Sequence, residues 1–378
     1  MTRTRTRLLV GALTLALPLG AAAGCGVEKR RTIKAELASA TQHIKSSKAV
    51  SLTVRFDDTK GNLAALAYDD KSTPKAVSKA ILGGSVSFTV DPAGSTTLQQ
   101  LPTKGTSDAD IKSAIKKVNA AIVVRDDQSI IGELRLVDGS LYAHVDLAEI
   151  NRLAKLNGSE PVDDALDNAF GDDPTTAKAL ADVRAGKWLK IPIADYIDRF
   201  KDLAKSFTPG DVEPQPKPKA TAQPDFNALG DRLLKAVKPS IKVTDANNST
   251  SNRVLDIKVR VRPALKAALA VLKATKDLPF ASQLKTVDDA AIDKAVADGT
   301  AHGTISLSNG HLKQVAIDLE SFRTLDPKPG TKTLQGASVI FDVDDSAAEV
   351  PAPTDVSSFD IGELLDSFLS GFDGQQAT

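Results

Sequence analysis

Apolar residues recur along this chain with two different periods. Ile33, Leu37, Ala40 and Ile44 fall at helical spacing, which predicts one amphipathic helix at the start of the fold. Leu52, Val54 and Phe56 then alternate with Ser51, Thr53 and Arg55. Val86, Phe88 and Val90 alternate in the same way with Ser85, Ser87 and Thr89. A period of two marks half-buried strands. Between Ile130 and Leu147 two alternating runs meet at Asp138-Gly139, a pair that tolerates the positive φ of a tight hairpin turn. Asn309-Gly310 repeats the device, with Ile305 and Leu307 before it and Val315, Ile317 and Leu319 after it. Leu255, Ile257, Val259 and Val261 form a further alternating run, and Val339, Phe341 and Val343 another. No two strands show a regular βαβ spacing, so antiparallel pairing is expected.

Helical stripes interrupt the strands: Tyr196, Phe200, Leu203 and Phe207; then Phe226, Leu229, Leu233 and Val237 after an N-cap at Asp225; then Leu265, Ala268, Leu269 and Leu272 with Pro263 in the first turn. The fold class expected from this pattern is α+β, with a mainly antiparallel sheet and helices packed on it. Residues 208–225 hold five prolines without apolar periodicity and read as an extended polyproline-like excursion. They are either a loop within one domain spanning 33–372 or the boundary between two lobes, 33–207 and 226–372.

The N-terminus changes the picture from a fold to an address. Arg3, Arg5 and Arg7 precede a largely apolar run from Leu8 to Gly24, which reads as a signal peptide over residues 1–24. Ala22-Ala23-Gly24-Cys25 resembles a bacterial lipobox, in which the Cys takes a diacylglyceryl group on sulfur. Cys25 is the chain's single cysteine, so no intramolecular disulfide can form. Two or three acyl chains at Cys25 give a stable anchor where one would be marginal. The mature protein is therefore expected on the outer face of the cell membrane, joined to it by a tether over residues 25–32. Lys29, Arg30, Arg31 and Lys34 lie just beyond that anchor, either as a solvated tether or in reach of anionic lipid.

Composition narrows the function classes. The chain has 378 residues, 48 Lys and Arg against 48 Asp and Glu, so its formal net charge is zero and a nucleic-acid partner is not expected. Aromatics are 4%, which argues against sugar-stacking surfaces. No metal-binding or nucleotide-binding motif is present, and His43, His144, His302 and His311 have no shared helical spacing, so neither a metal nor another cofactor is expected. Ser-x-x-Lys occurs at Ser72, Ser113 and Ser282 without the companion motifs of penicillin-recognising enzymes, and an enzyme is not the expected reading. Asp163, Asp164, Asp167, Asp172 and Asp173 lack the spacing of a calcium loop and read as a solvated acidic loop. Asn248-Ser249-Thr250 fits a glycosylation acceptor only in a pathway that a lipobox protein would not use.

Several features together resemble the LppX/LprG-type lipoproteins of actinobacteria, relatives in fold of the carrier LolA. They are the lipobox at Cys25, Lys45-Ser46-Ser47-Lys48-Ala49-Val50 before the first strand, Gly186-Lys187-Trp188, Leu307-Ser308-Asn309-Gly310-His311-Leu312, and the closing Val350-Pro351-Ala352-Pro353. The resemblance implies a curved half-barrel sheet with helices on its concave face and an apolar cavity for acyl chains. It makes a lipid or lipoglycan the expected ligand. The cavity walls would then draw on Leu52, Val54, Phe56, Val86, Phe88, Leu134, Leu136, Leu255, Ile257, Val259 and Ile317, with helices at 196–207 and 226–237 as cover. The competing expectation is a surface adaptor or signalling lipoprotein whose sheet face is closed by its own helices.

Overall fold

A computed structural model describes residues 28–69, 79–80, 82–94, 96–100, 115–127, 129–156, 161–163, 166–167, 174–193, 226–247, 252–275, 287–323, 325 and 333–359. Cys25, the stripe at 196–207, the Pro-rich segment 208–225, Ser72, Ser113, Ser282 and Asn248 to Thr250 lie outside these residues. In chain order the helices and strands are α1 (Glu28–Ser46), β1 (Val50–Asp58), α2 (Asn62–Asp69), β2 (Ser85–Pro92), β3 (Val118–Arg125), β4 (Ile130–Val137) and β5 (Ser140–Val145). Next come α3 (Leu147–Leu156), α4 (Pro174–Arg184), β6 (Trp188–Ile191), α5 (Phe226–Val237), β7 (Ile241–Asp245), β8 (Asn252–Arg260) and α6 (Val261–Ala274). The last are α7 (Asp289–Ala295), β9 (Thr300–Ser308), β10 (His311–Asp318), α8 (Leu319–Arg323), β11 (Ala337–Asp344) and β12 (Val356–Ser358).

The chain divides into two compact units, each built from two separate stretches: residues 1–72 with 222–347, and residues 73–221 with 348–378. Both are α+β. In the first unit the strand order is β1-β11-β10-β9-β8-β7, antiparallel at every pairing. In the second it is β2-β3-β4-β5-β6-β12, antiparallel except for the final pair, β6 with β12. Both hairpin turns form as their sequences require: Asp138 and Gly139 have φ of 50° and 76°, Asn309 and Gly310 of 50° and 79°. Two consecutive positive φ values give the turn whose twist matches the flanking strands.

The first unit has a closed core. One sheet face presents Leu255, Ile257, Ile305, Leu307, Val315, Phe341 and Val343, and onto it pack Ile33, Leu37 and Ala40 of α1, Val237 of α5 and Ala264 and Ala268 of α6. Leu255 and Ile305 are 0% exposed. Each Val, Leu, Ile or Phe side chain buried in this way contributes ~1.5–3 kcal/mol. Val261 departs from the alternating run that the sequence suggested: the strand ends at Arg260 and Val261 opens α6. The cause is local, because Pro263 has no N–H for a strand ladder and suits a first helical turn. Val261 N–H instead donates to the Gly299 carbonyl. Asp288 caps α7, its carboxylate accepting from Ala291 N–H at 2.7 Å.

Candidate functional site: an open apolar sheet face

In the second unit, register aligns apolar side chains into rows across the strands. Phe88 sits opposite Ile122, Ile122 opposite Leu134, Leu134 opposite Ala143, and Ala143 opposite Leu189. A parallel row runs Val90, Ala120, Leu136, Leu141 and Ile191, and a third runs Val86, Val124, Gly132 and Val145. Because side chains alternate, all three rows project from one face. From β2 to β6 these three rows bring no polar side chain to it; at the β12 edge the first row ends on Ser357, whose hydroxyl donates to Asp182 of α4.

That face is not filled. Phe88 is 41% exposed, Ile122 37%, Val124 37% and Leu134 42%, and no member of the three rows is buried. None belongs to a packed cluster among the described residues. Exposed apolar patches of this continuity mark interaction sites in soluble folds.

The opposite face of the same sheet is closed by the chain returning through residues 348–353. Val350 packs with Ala121, Val137 and Tyr142. Its N–H donates to the buried Asp91 carboxylate at 3.0 Å. The Arg135 guanidinium lies 4.6 Å from the Trp188 ring centroid, while its Nε donates to Glu133 and its Nη1 to the Pro351 carbonyl. His144 tilts against the same indole at 5.2 Å. Polar side chains of β2, β4 and β5 on this face are therefore engaged, while the apolar rows are the part left exposed.

The strongly perturbed ionisable groups pin elements in place. The hydrogen bond from Ser357, then those from Lys187 and Lys178, hold the Asp182 carboxylate well below the usual range and join α4 to β12. Hydrogen bonding to Glu149 raises Arg152, which also donates to the buried Asp126 beside the turn before β4. In the first unit the Arg323 hydrogen bonds bring Glu320 down to about 2, with Leu334 N–H and Thr333 as further donors. No group of three or more His, Cys, Asp and Glu side chains among the described residues is placed to hold a metal ion.

The side chains named from the sequence separate by unit. Val86, Phe88, Leu134 and Leu136 lie on the open face. Leu255 and Ile257 are buried in the first unit's core, and Leu52, Val54, Val259 and Ile317 pack against it. Phe56 stands opposite Val339 on β11 and is 37% exposed. Sequence reasoning missed Ile122 and Val124 because β3 shows no alternation: Ala121 and Val123 between them are apolar as well. Of the acidic group, Asp163 and Asp167 both meet Arg184, while Asp164, Asp172 and Asp173 lie outside the described residues. No described helix is long and apolar enough to cross a membrane.

Neither a protein-family model nor a curated protein matches the chain. Among solved structures, the crystal structure of the Mycobacterium tuberculosis lipoprotein LppX is similar over 84% of this chain and 97% of that one, at 10% identity and a TM-score of 0.27. A likeness of that degree is distant and carries no argument about ligand or location.

Proposed function

We propose that this chain is an exported, lipid-anchored lipoprotein that binds the hydrocarbon part of a lipid or lipoglycan on the open apolar face of its second unit. The observation that carries the reading is the contrast between the two sheets. Equivalent alternating rows are sealed by helices in the first unit and are left partly exposed, without one buried member, in the second. Covering a Phe, Ile or Leu side chain is worth ~1.5–3 kcal/mol when burial is complete. An acyl chain laid along the rows of Phe88, Ile122 and Leu134 recovers part of that at several positions at once. Rows that carry no polar side chain from β2 to β6 suit hydrocarbon better than a protein partner, whose interfaces carry about one hydrogen bond per 100–200 Å².

An adaptor with a filled core would close both faces alike, and among the described residues the first unit alone has its apolar rows packed in that way. The role proposed is binding or carriage rather than catalysis. Attachment to the outer face of the membrane rests on Cys25 and the segment before it, and two or three acyl chains there would make it stable. Two measurements test the proposal. Cells labelled with a fatty acid should yield labelled wild-type protein and unlabelled Cys25→Ser. Protein extracted without added lipid should retain lipid in native mass spectrometry. An unlabelled wild type refutes the anchor, and an empty protein that also fails to brighten an apolar-cavity dye refutes the binding role.

A further inference from the structure

At the C-terminal end of α1, in the first unit, His43 stacks on His311 with ring centroids 4.1 Å apart and planes inclined by 26°. His43 belongs to the helix and His311 opens β10 directly after the Asn309-Gly310 turn. Behind His311 lies Asp345, whose side chain is 2% exposed and whose Oδ2 is 2.6 Å from His311 Nδ1. Lys313 Nζ approaches the other oxygen of Asp345 at 3.8 Å. Lys45, in the same last turn as His43, is exposed, and Asp344 is engaged by Ser346.

We propose that this stack is an acid-sensitive latch between α1 and the first unit's sheet. One proton on the pair is well accommodated, since an imidazolium at His311 faces the Asp345 carboxylate and a neutral His43 ring covers its face. A second proton places two like charges face to face at 4.1 Å. One carboxylate then faces two imidazoliums and Lys313, so the helix end is pushed off β10. Acid that protonates both rings supplies that second charge. The Ile33, Leu37 and Ala40 contacts lie further along α1 and hold the rest of the helix in the core.

Hydrogen exchange of the full chain, corrected for intrinsic rates, reads the latch. From about pH 7.5 to about pH 5, amide protection at the C-terminal end of α1 should fall about fivefold relative to that of α6. His43→Gln should abolish the fall. Asp345→Asn should deepen it, because the first charge then loses its counter-ion. Protection that is unchanged by acid in wild type, or a fall that persists in His43→Gln, overturns the latch. Neither result bears on lipid binding by the second unit.

Discussion

Leu255→Ala should destabilise the first unit by about 2–5 kcal/mol, among the largest effects of any single truncation in the chain. Leu255 is 0% exposed and sits on β8 between Asp245 of β7 and Ile305 of β9, beneath the helices that close this core. Removing its branched end leaves a cavity that packed neighbours fill only in part. The loss is read from the urea midpoint, followed by hydrogen exchange in β8 and β9. Leu134→Ala is the control. At 42% exposed it has little packing to lose, and its change should stay within about 1 kcal/mol. Equal losses at both positions would show that the second unit's face is a filled core.

The second large effect is on binding. Ile122 and Leu134 are direct cross-strand partners near the middle of the open face. Replacing both by Gln puts two amides under any bound hydrocarbon, where an unpaired polar group costs ~1–3 kcal/mol. Affinity for a fluorescent fatty acid should fall by more than about tenfold, since each 1.4 kcal/mol is a factor of ten. In the free protein the same amides reach water, so the thermal midpoint should barely move. Leu136→Gln, which lies deeper on this face, should weaken binding and also cost some stability. Wild-type affinity in the double variant would remove this face from the site.

Much of the strand content was legible because one side of most strands is polar. The alternation in β1, β2, β8 and β11 and the two Gly-containing turns follow directly from side-chain order. β3 was hidden by apolar residues on both of its sides. β6 and β12, at four and three residues, are too short to show a period. What periodicity could not reveal is which apolar face is covered. Leu255 and Leu134 occupy equivalent places in alternating strands, yet one is sealed and the other is half open. The difference comes from long-range pairing: β11 closes on β1 with Leu52 opposite Val343, and α1, α5 and α6 return over that sheet. Strand order and helix docking at such separations are set by the whole chain, not by the local run.

A photoactivatable fatty acid, incubated with the wild-type protein and crosslinked, would place hydrocarbon on the sequence by peptide mapping. The expected adducts lie on peptides containing Val86 to Val90, Ala120 to Val124 and Gly132 to Leu136, with none on the β8 peptide carrying Leu255 and Ile257. Adducts concentrated on β8 and β9, or none above a denatured control, would contradict the assignment of the lipid site to the second unit's open face.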